Sequence, residues 1–277
     1  MSTPAAPSRP VKIIAVANQK GGVGKTTTAI NLGTALAATG EPCLVIDIDP
    51  QGNASTGLGV ERATRKVTTY DVLMNDGNLI DAINETIVPH LDVVPSVAEL
   101  AGAEAELLEE EGRNFRLKTA IDQLKAAVNS GQARDYNYIF IDCPPSLNLL
   151  TVNALTASDS VFVPLQAEFF ALEGLSQLVR TIDLVRNQLN PKLEVEGVLL
   201  TMFDSRTNLA KEVADNVREH FGNKLYEVTI PRNVTVSEAP SFGKPVILYD
   251  QKCAGSQAYM KLAAEFLRRE RVPAEAA

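Results

Sequence analysis

The chain has 277 residues, 45% hydrophobic and 22% charged, with a formal net charge of -8 and a mean hydropathy of -0.01; this composition describes a soluble globular protein and excludes a disordered or collagen-like one. Its apolar runs, such as Val11–Ala17, Val161–Ala167 and Val195–Phe203, fall far short of the ~20 residues a membrane-spanning helix needs. Three scattered cysteines (Cys43, Cys143, Cys253) and two isolated histidines (His90, His220) exclude a disulfide framework, a catalytic His triad and a multi-histidine metal centre, and point to a reducing cytoplasmic setting.

In chain order, residues 1–10 (MSTPAAPSRP) read as a tail, lacking the apolar stretch of a signal peptide. Val11–Ala17 is a β-branched run that ends at a glycine cluster, the pattern of a buried parallel strand feeding a loop. Thr26–Thr39 then has helical apolar spacing through Ile30, Leu32, Ala35 and Leu36, stopped by Gly40, and Cys43–Ile48 is a second short strand. Strand, glycine loop, helix and strand make a βαβ unit. The alternation continues with strands expected at Leu91–Val94, Tyr138–Ile141, Ser160–Pro164, Val195–Thr201 and Tyr226–Ile230. Helices are expected at Ser96–Glu109, Phe115–Val128, Leu147–Thr156, Glu168–Leu189, Asn208–Phe221 and Ser256–Arg269. The expected fold is α/β, a mostly parallel twisted sheet with helices on both faces. No linker divides it, so residues 11–271 are expected to form one domain, with residues 272–277 a second short tail. Glu104–Glu111 is the one dense charge run and reads as a solvated helix face around Leu107 and Leu108.

Chemistry concentrates in Lys20-Gly21-Gly22-Val23-Gly24-Lys25-Thr26-Thr27, placed between the first strand and first helix where a phosphate loop belongs. Glycines let successive N–H groups converge on phosphate oxygens, and the helix N-terminus adds partial positive charge. In such a loop Lys25 reaches the β- and γ-phosphates and the Thr26 hydroxyl ligates Mg²⁺. The loop departs from G-x-x-x-x-G-K-[ST] because Gln19 holds the first glycine position and Lys20 follows it. A second lysine at the mouth adds charge where the γ-phosphate gains it in the transition state, from the same chain or across a dimer. Asp142, ending the strand Tyr138–Ile141, stands where a carboxylate holds Mg²⁺ through water. Asp47 and Asp49 follow the second strand beside the crevice at the strand ends. Alternation puts both on one side, and either can orient an attacking water.

KGGVGKTT with its leading lysine, followed by DIDPQGNAS and FIDCPPS, resembles the deviant-Walker-A ATPases of the ParA type, which partition chromosomes and plasmids. MFDSRTN, IPRNVTVSEAPSFGKPVILYD and GSQAYMKLA follow the same family order, so the resemblance runs from about Val11 to Leu267. It implies an ATP- and Mg²⁺-dependent sandwich homodimer in which Lys20 reaches the partner's nucleotide. Lys25, Thr26 and Thr27 would bind phosphates and Mg²⁺, Asp142 would be the Walker B carboxylate, and Asp49 rather than Asp47 would position the water. Met202 and Pro231-Arg232-Asn233 would contact adenine. The resemblance further implies sequence-nonspecific binding to duplex DNA, a nucleoid-associated location, and slow hydrolysis stimulated by a ParB-type centromere-binding partner.

The charge distribution agrees with a late basic face: residues 1–200 carry 15 Lys+Arg against 24 Asp+Glu, residues 201–277 carry 11 against 10. Arg206 is the first DNA-contact candidate, followed by Lys211, Arg218, Lys244, Lys252 and Arg269. Relatives often read PRNVRLSEAP where this chain reads PRNVTVSEAP, so Thr235 replaces a basic residue. Rival readings keep the scaffold: a MinD-like membrane-cycling ATPase, which needs an amphipathic C-terminal helix; an iron–sulfur carrier, which needs clustered thiolates; or a ParA-like ATPase positioning another cargo over the nucleoid. The stripe Tyr259, Leu262, Ala263, Phe266 and Leu267 reads as core packing, and no membrane contact is expected.

Overall fold

The computed structural model describes residues 10–75, 77–168 and 171–271. The tails expected at positions 1–10 and 272–277 lie outside these residues, Pro10 excepted, as do positions 169 and 170 of the helix expected from Glu168. Seven strands, β1 (Lys12–Val16), β2 (Cys43–Asp47), β3 (Asn84–Glu85), β4 (Leu91–Val94), β5 (Tyr138–Asp142), β6 (Ser160–Gln166) and β7 (Glu194–Thr201), form one sheet in the order β3-β4-β2-β5-β1-β6-β7. Every neighbouring pair is parallel except β3 with β4. The helices are α1 (Lys25–Ala37), α2 (Asn53–Gly57), α3 (Thr69–Met74), α4 (Ala103–Glu106), α5 (Arg116–Asn129), α6 (Leu149–Ala157), α7 (Ala171–Gln188), α8 (Asn208–Phe221), α9 (Val234–Glu238), α10 (Val246–Tyr249) and α11 (Ala254–Arg271).

The central strands are apolar at nearly every position because both sheet faces are covered. Alternation then sorts their side chains into two cores. Ile13, Ala15, Leu44, Ile46, Ile139 and Ile141 pack with Leu117 and Ile121 of α5, Leu155 of α6, Leu178 of α7 and Val217 of α8. Ile14, Val16, Val45, Tyr138 and Phe140 pack on the opposite face with Ile30, Leu32 and Leu36 of α1 and Tyr259, Leu262 and Phe266 of α11. Phe266 meets Tyr138 edge-on, ring centroids 5.2 Å apart at 73°. Truncating so buried a ring costs about 3–5 kcal/mol.

Two expectations need correction. Tyr226–Ile230 is not a strand. It runs beside β7 and touches it through isolated bridges at Val198–Leu225 and Phe203–Pro231, plus the bonds Tyr226 N to Val198 O and Ile230 N to Leu200 O. Between those points the N–H groups of Glu227 and Val228 donate to the buried Glu265 carboxylate, both at 2.9 Å, so a side chain replaces the ladder. The helix expected over Ser96–Glu109 is a 3-10 turn at Ala98–Gly102 followed by α4 alone. Gly102 weakens its middle, and the carboxylates of Glu109–Glu111 would face the negative end of the helix dipole. Those carboxylates are exposed, Leu107 is buried, and Leu108 is 63% exposed.

Candidate nucleotide-binding site

β1 ends in the middle of the sheet, between β5 and β6. Just past its end Asn18 fixes the departing loop, donating from Nδ2 to the Pro164 carbonyl at 2.7 Å and accepting the Lys20 N–H at 3.0 Å. Gly22 and Gly24 take φ values of +74° and +86°, a left-handed conformation that costs an L side chain roughly 1–2 kcal/mol. The Thr201 hydroxyl donates to the Val23 carbonyl at 2.8 Å and ties the loop to the end of β7. Lys25 then opens α1. Gly24 at the N-cap offers no side chain and the first turn holds no acidic residue, so the positive helix end is open to an anion.

Lys25 is 6% exposed, and its Nζ donates to the Lys20 carbonyl at 3.1 Å. Burial lowers its pKa, opposed first by the nearby Asp142 carboxylate and also by Asp49. Lys20 itself turns outward into an ion pair with Glu168.

Three carboxylates stand at the same edge of the sheet. Asp47 and Asp142 face each other across the register of β2 and β5, and both are fully buried. Asp47 accepts bonds from the Ser55 N–H at 2.8 Å, the Ser55 hydroxyl at 2.6 Å and the Asp49 N–H at 3.2 Å. Burial pushes its carboxyl up to about 6 while these bonds pull it down. Neither oxygen of Asp142 has a hydrogen-bond partner among the described residues. Burial, with the Asp47 charge next, pushes it well above the usual carboxylate range, and the nearby Thr26 hydroxyl offsets part of this without closing a bond. Asp49 lies beyond the end of β2, 7% exposed, its Oδ1 accepting the Gln51 N–H at 2.9 Å. Strand alternation does not govern it there, so it faces the cleft while Asp47 turns inward.

A cleft of about 400 Å³ opens above these groups. It gathers Gly21, Gly22, Gly24, Lys25, Thr26, Thr27, Asp49, Met202, Pro231, Arg232 and Asn233, all singled out from sequence. Lys20, Val23 and Asp142 are not in its walls. Gln51, Asn53, Pro145, Thr201, Ile230, Val236, Ser237 and Tyr259 are walls the residue reading missed. All but Thr201 belong to the quoted segments DIDPQGNAS, FIDCPPS, IPRNVTVSEAPSFGKPVILYD and GSQAYMKLA, whereas Thr201 carries no local signal. The Tyr259 hydroxyl lies 3.3 Å from that of Thr28. Met202 holds φ +48°, a strained turn out of β7.

The six basic candidates do not form one cluster of free charges. Arg206 follows β7, its side chain 87% exposed, bonded through Nε and Nη2 to Asp204 at 2.9 and 2.7 Å. Lys211 and Arg218 are exposed on α8, with Arg218 paired to Asp215 at 3.0 Å. Lys244 and Lys252 are exposed in the turns before α10 and α11. Arg269 is fastened to the fold: it donates to the Asn223 and Leu225 carbonyls at 2.8 Å and to Glu265 at 2.6 Å, and lies 4.0 Å from the Tyr226 ring centroid. Cys43 and Cys143 are buried and Cys253 half-buried, all as free thiols. Among the described residues no three His, Cys, Asp or Glu side chains stand together as a metal site, and no helix is long and apolar enough to cross a membrane.

A parallel sheet with a glycine loop running from its central strand into a lysine-headed helix, and with an acid at the end of the neighbouring strand, defines a P-loop nucleoside triphosphatase. Residues 11–195 match the AAA_31 family, described as "AAA domain". The chain is 61% identical over 264 residues to the chromosome partitioning protein ParA of Caulobacter vibrioides, covering 95% of this chain and 97% of that one. It is 55% identical over 254 residues to the sporulation initiation inhibitor protein Soj of Bacillus subtilis, covering 92% and 97%. Among solved structures, cobyrinic acid a,c-diamide synthase from Mycobacterium smegmatis, with bound ATP analogue and magnesium, superposes with a TM-score of 0.80 at 36% identity, covering 94% and 96%. The chain belongs to the ParA/Soj family of partition ATPases.

Proposed function

We propose that the cleft binds ATP with Mg²⁺ and that the chain works as an ATP-dependent sandwich dimer, residues 11–271 acting as one ATPase domain. The dimer would bind duplex DNA without sequence preference and, in the cytoplasm over the nucleoid, segregate origin regions with a ParB-type partner that stimulates hydrolysis. The observation that carries the dimer is the placement of Lys20: its side chain is 39% exposed at the mouth of the loop, outside the walls of its own cleft and, among the described residues, paired with the half-exposed carboxylate of Glu168. From there it is free to serve a nucleotide in a second copy.

The residues fit a metal. Asp142 is a buried carboxylate with both oxygens unpartnered, beside the Thr26 hydroxyl that opens toward the cleft. Thr26 would hold Mg²⁺ directly and Asp142 through water, with phosphate oxygens completing an oxygen-only shell. Bound there, the ion would neutralise charge on the phosphates. Lys25 and the N–H groups of Gly22–Thr27 bind phosphate, and Asp49, alone among the three carboxylates in facing the cleft, orients the attacking water. Adenine would lie along Met202 and Pro231–Asn233. Arg206 leads the DNA face with Lys211, Arg218, Lys244 and Lys252; Arg269, whose two terminal nitrogens are both bonded within the fold and whose guanidinium lies over the Tyr226 ring, leaves it.

Two weak phosphate-contact surfaces add their binding free energies only when joined, so ATP-driven dimerisation switches DNA affinity. Membrane cycling loses support because Tyr259, Leu262, Ala263 and Phe266 of the α11 stripe are buried and Leu267 is half-buried against the same core, while Gln257, Lys261 and Arg268 are exposed. Co-sedimentation with nonspecific duplex DNA and with anionic liposomes, each without nucleotide, with ADP and with ATP, tests the reading. ATP-dependent, salt-sensitive retention on DNA alone is expected. Retention on liposomes alone, or equal DNA retention in all three nucleotide states, would sink it.

A further inference from the structure

The segment between α2 and α3 carries one side chain for which the nucleotide reading has no use. Arg65 is half-buried, stands outside the cleft walls, and spreads its guanidinium across three stretches of chain. It donates to the Ser96 carbonyl beyond β4 at 2.7 Å, and to the Val60 carbonyl from Nε at 3.3 Å and Nη2 at 3.0 Å. It also donates to the Gly52 carbonyl at 3.3 Å and the Thr56 hydroxyl of α2 at 2.9 Å. Gly52 is where the chain turns immediately after Asp49–Gln51, with φ +63°, and its N–H donates to the Asp49 carbonyl at 2.9 Å. A Cβ on Gly52 would run into the Arg65 guanidinium and the Ser96 carbonyl oxygen. On the inner side of the same turn the Ser55 hydroxyl donates to Asp47 and accepts the Ser96 N–H at 3.0 Å.

Asp49 therefore sits on a bridge of four residues, 48–51, clamped at both ends. Asp47 and Ser55 hold one end inside the sheet edge, and Gly52 under Arg65 holds the other. We propose that Arg65 is a positioning residue for ATP hydrolysis, its guanidinium fixing the Gly52 end of this bridge and so holding the Asp49 carboxylate at one place in the cleft. The inference rests on the reading of Asp49 as the group that orients water. A catalytic group displaced by about 1 Å loses on the order of 100-fold in rate, so a clamp outside the cleft can govern turnover without touching nucleotide. The role needs the planar fork: a lysine carries the same charge near Asp47 but cannot reach Ser96, Gly52 and Thr56 together.

The test compares Arg65→Ala and Arg65→Lys with the parent at saturating ATP and Mg²⁺, measuring kcat and, separately, the Kd of a fluorescent ATP analogue. Both variants are expected to lose roughly 10-fold or more in kcat while Kd stays within about 3-fold, with millimolar guanidinium restoring part of the Arg65→Ala turnover. In an Asp49→Ala background, Arg65→Ala is expected to cost nothing further. Parental kcat in Arg65→Ala or in Arg65→Lys, affinity lost in step with turnover, or an additional loss on top of Asp49→Ala would each overturn the inference. Should Arg65→Ala not fold, Thr56→Val removes a single bond of the clamp and decides alone: lower kcat at unchanged Kd supports it, parental kcat overturns it. An Asp49→Ala protein with parental turnover would bring down the Asp49 reading and this inference together. A dead Asp49→Ala beside a parental Arg65→Ala brings down this inference only.

Discussion

Asp47, Asp49 and Asp142 lie along one sheet edge, yet their surroundings ask different things of each. Asp47 spends its carboxylate on three bonds from Ser55 and Asp49. Asp47→Ala would leave those donors buried without a partner, a loss of about 3 kcal/mol, on the order of 10 °C in Tm for a chain of this size. Asp49→Ala removes a single acceptor at the cleft and is expected to keep fold and ATP affinity while hydrolysis nearly stops. Thermal melts beside turnover assays separate the two; a stable Asp47→Ala and an active Asp49→Ala would reverse the assignment. Asp142 is the opposite case, a buried carboxylate with no bond to lose. Replacing it with a neutral group of equal size removes the cost of ionising a carboxyl there, which burial makes large and the Lys25 charge offsets only in part. Asp142→Asn is therefore expected to raise the nucleotide-free Tm by a few degrees, about 1–2 kcal/mol. It should also erase the additional stabilisation Mg²⁺ gives with nucleotide, both readable in one melting series.

At the scale of elements, the cleft wall at Pro231–Asn233, proposed to meet adenine, depends on a segment that is neither strand nor helix. Residues 226–230 lead directly into Pro231–Asn233, and their middle N–H groups are held by Glu265 of α11, which Arg269 neutralises at 2.6 Å. Glu265→Ala would free two part-buried donors and one guanidinium together, a cost of about 1–3 kcal/mol. ATP affinity should fall severalfold through the displaced wall, with Glu265→Gln intermediate because its amide oxygen can still accept one N–H. Isothermal titration with an ATP analogue checks this, and unchanged affinity in a folded Glu265→Ala would detach the segment from the site. This arrangement also marks how far sequence reaches. The strands β1, β2 and β5 are legible because burial on both faces writes continuous apolar runs, and the phosphate loop because its conformation demands glycines at Gly22 and Gly24. Tyr226–Ile230 has the same apolar look, but its fate was decided by a carboxylate almost forty positions away. The pairing of Asp47 with Ser55 and the clamp of Arg65 on Gly52 span only eight and thirteen positions, yet they are side-chain choices made across a turn, which apolar periodicity does not register.

For the whole molecule, a net charge of -8 opposes approach to DNA unless a local face overcomes it. Arg206 is the most exposed of the basic candidates for which a pairing is seen, and it is not idle: its fork holds Asp204, whose carboxyl is pulled down to about 2, so the pair stays ionised at any working pH. DNA phosphate must compete with that carboxylate. Two substitutions of opposite sense follow from the same contact. In the proposed DNA-bound dimer Arg206→Glu would remove one phosphate contact per protomer, two per dimer, and each contact contributes about 0.9 to the slope of log affinity against log salt. The slope should therefore flatten by about 2 in the ATP state and stay unchanged in the ADP state, in which the proposed switch leaves the two faces apart. Asp204→Asn releases the guanidinium and should tighten DNA binding at low salt while leaving ATP affinity alone. A flattening of about 1 in place of 2 would mean that a single protomer touches DNA. No change in either variant would take Arg206 out of the DNA face and leave that face to the other exposed candidates, Lys211, Lys244 and Lys252.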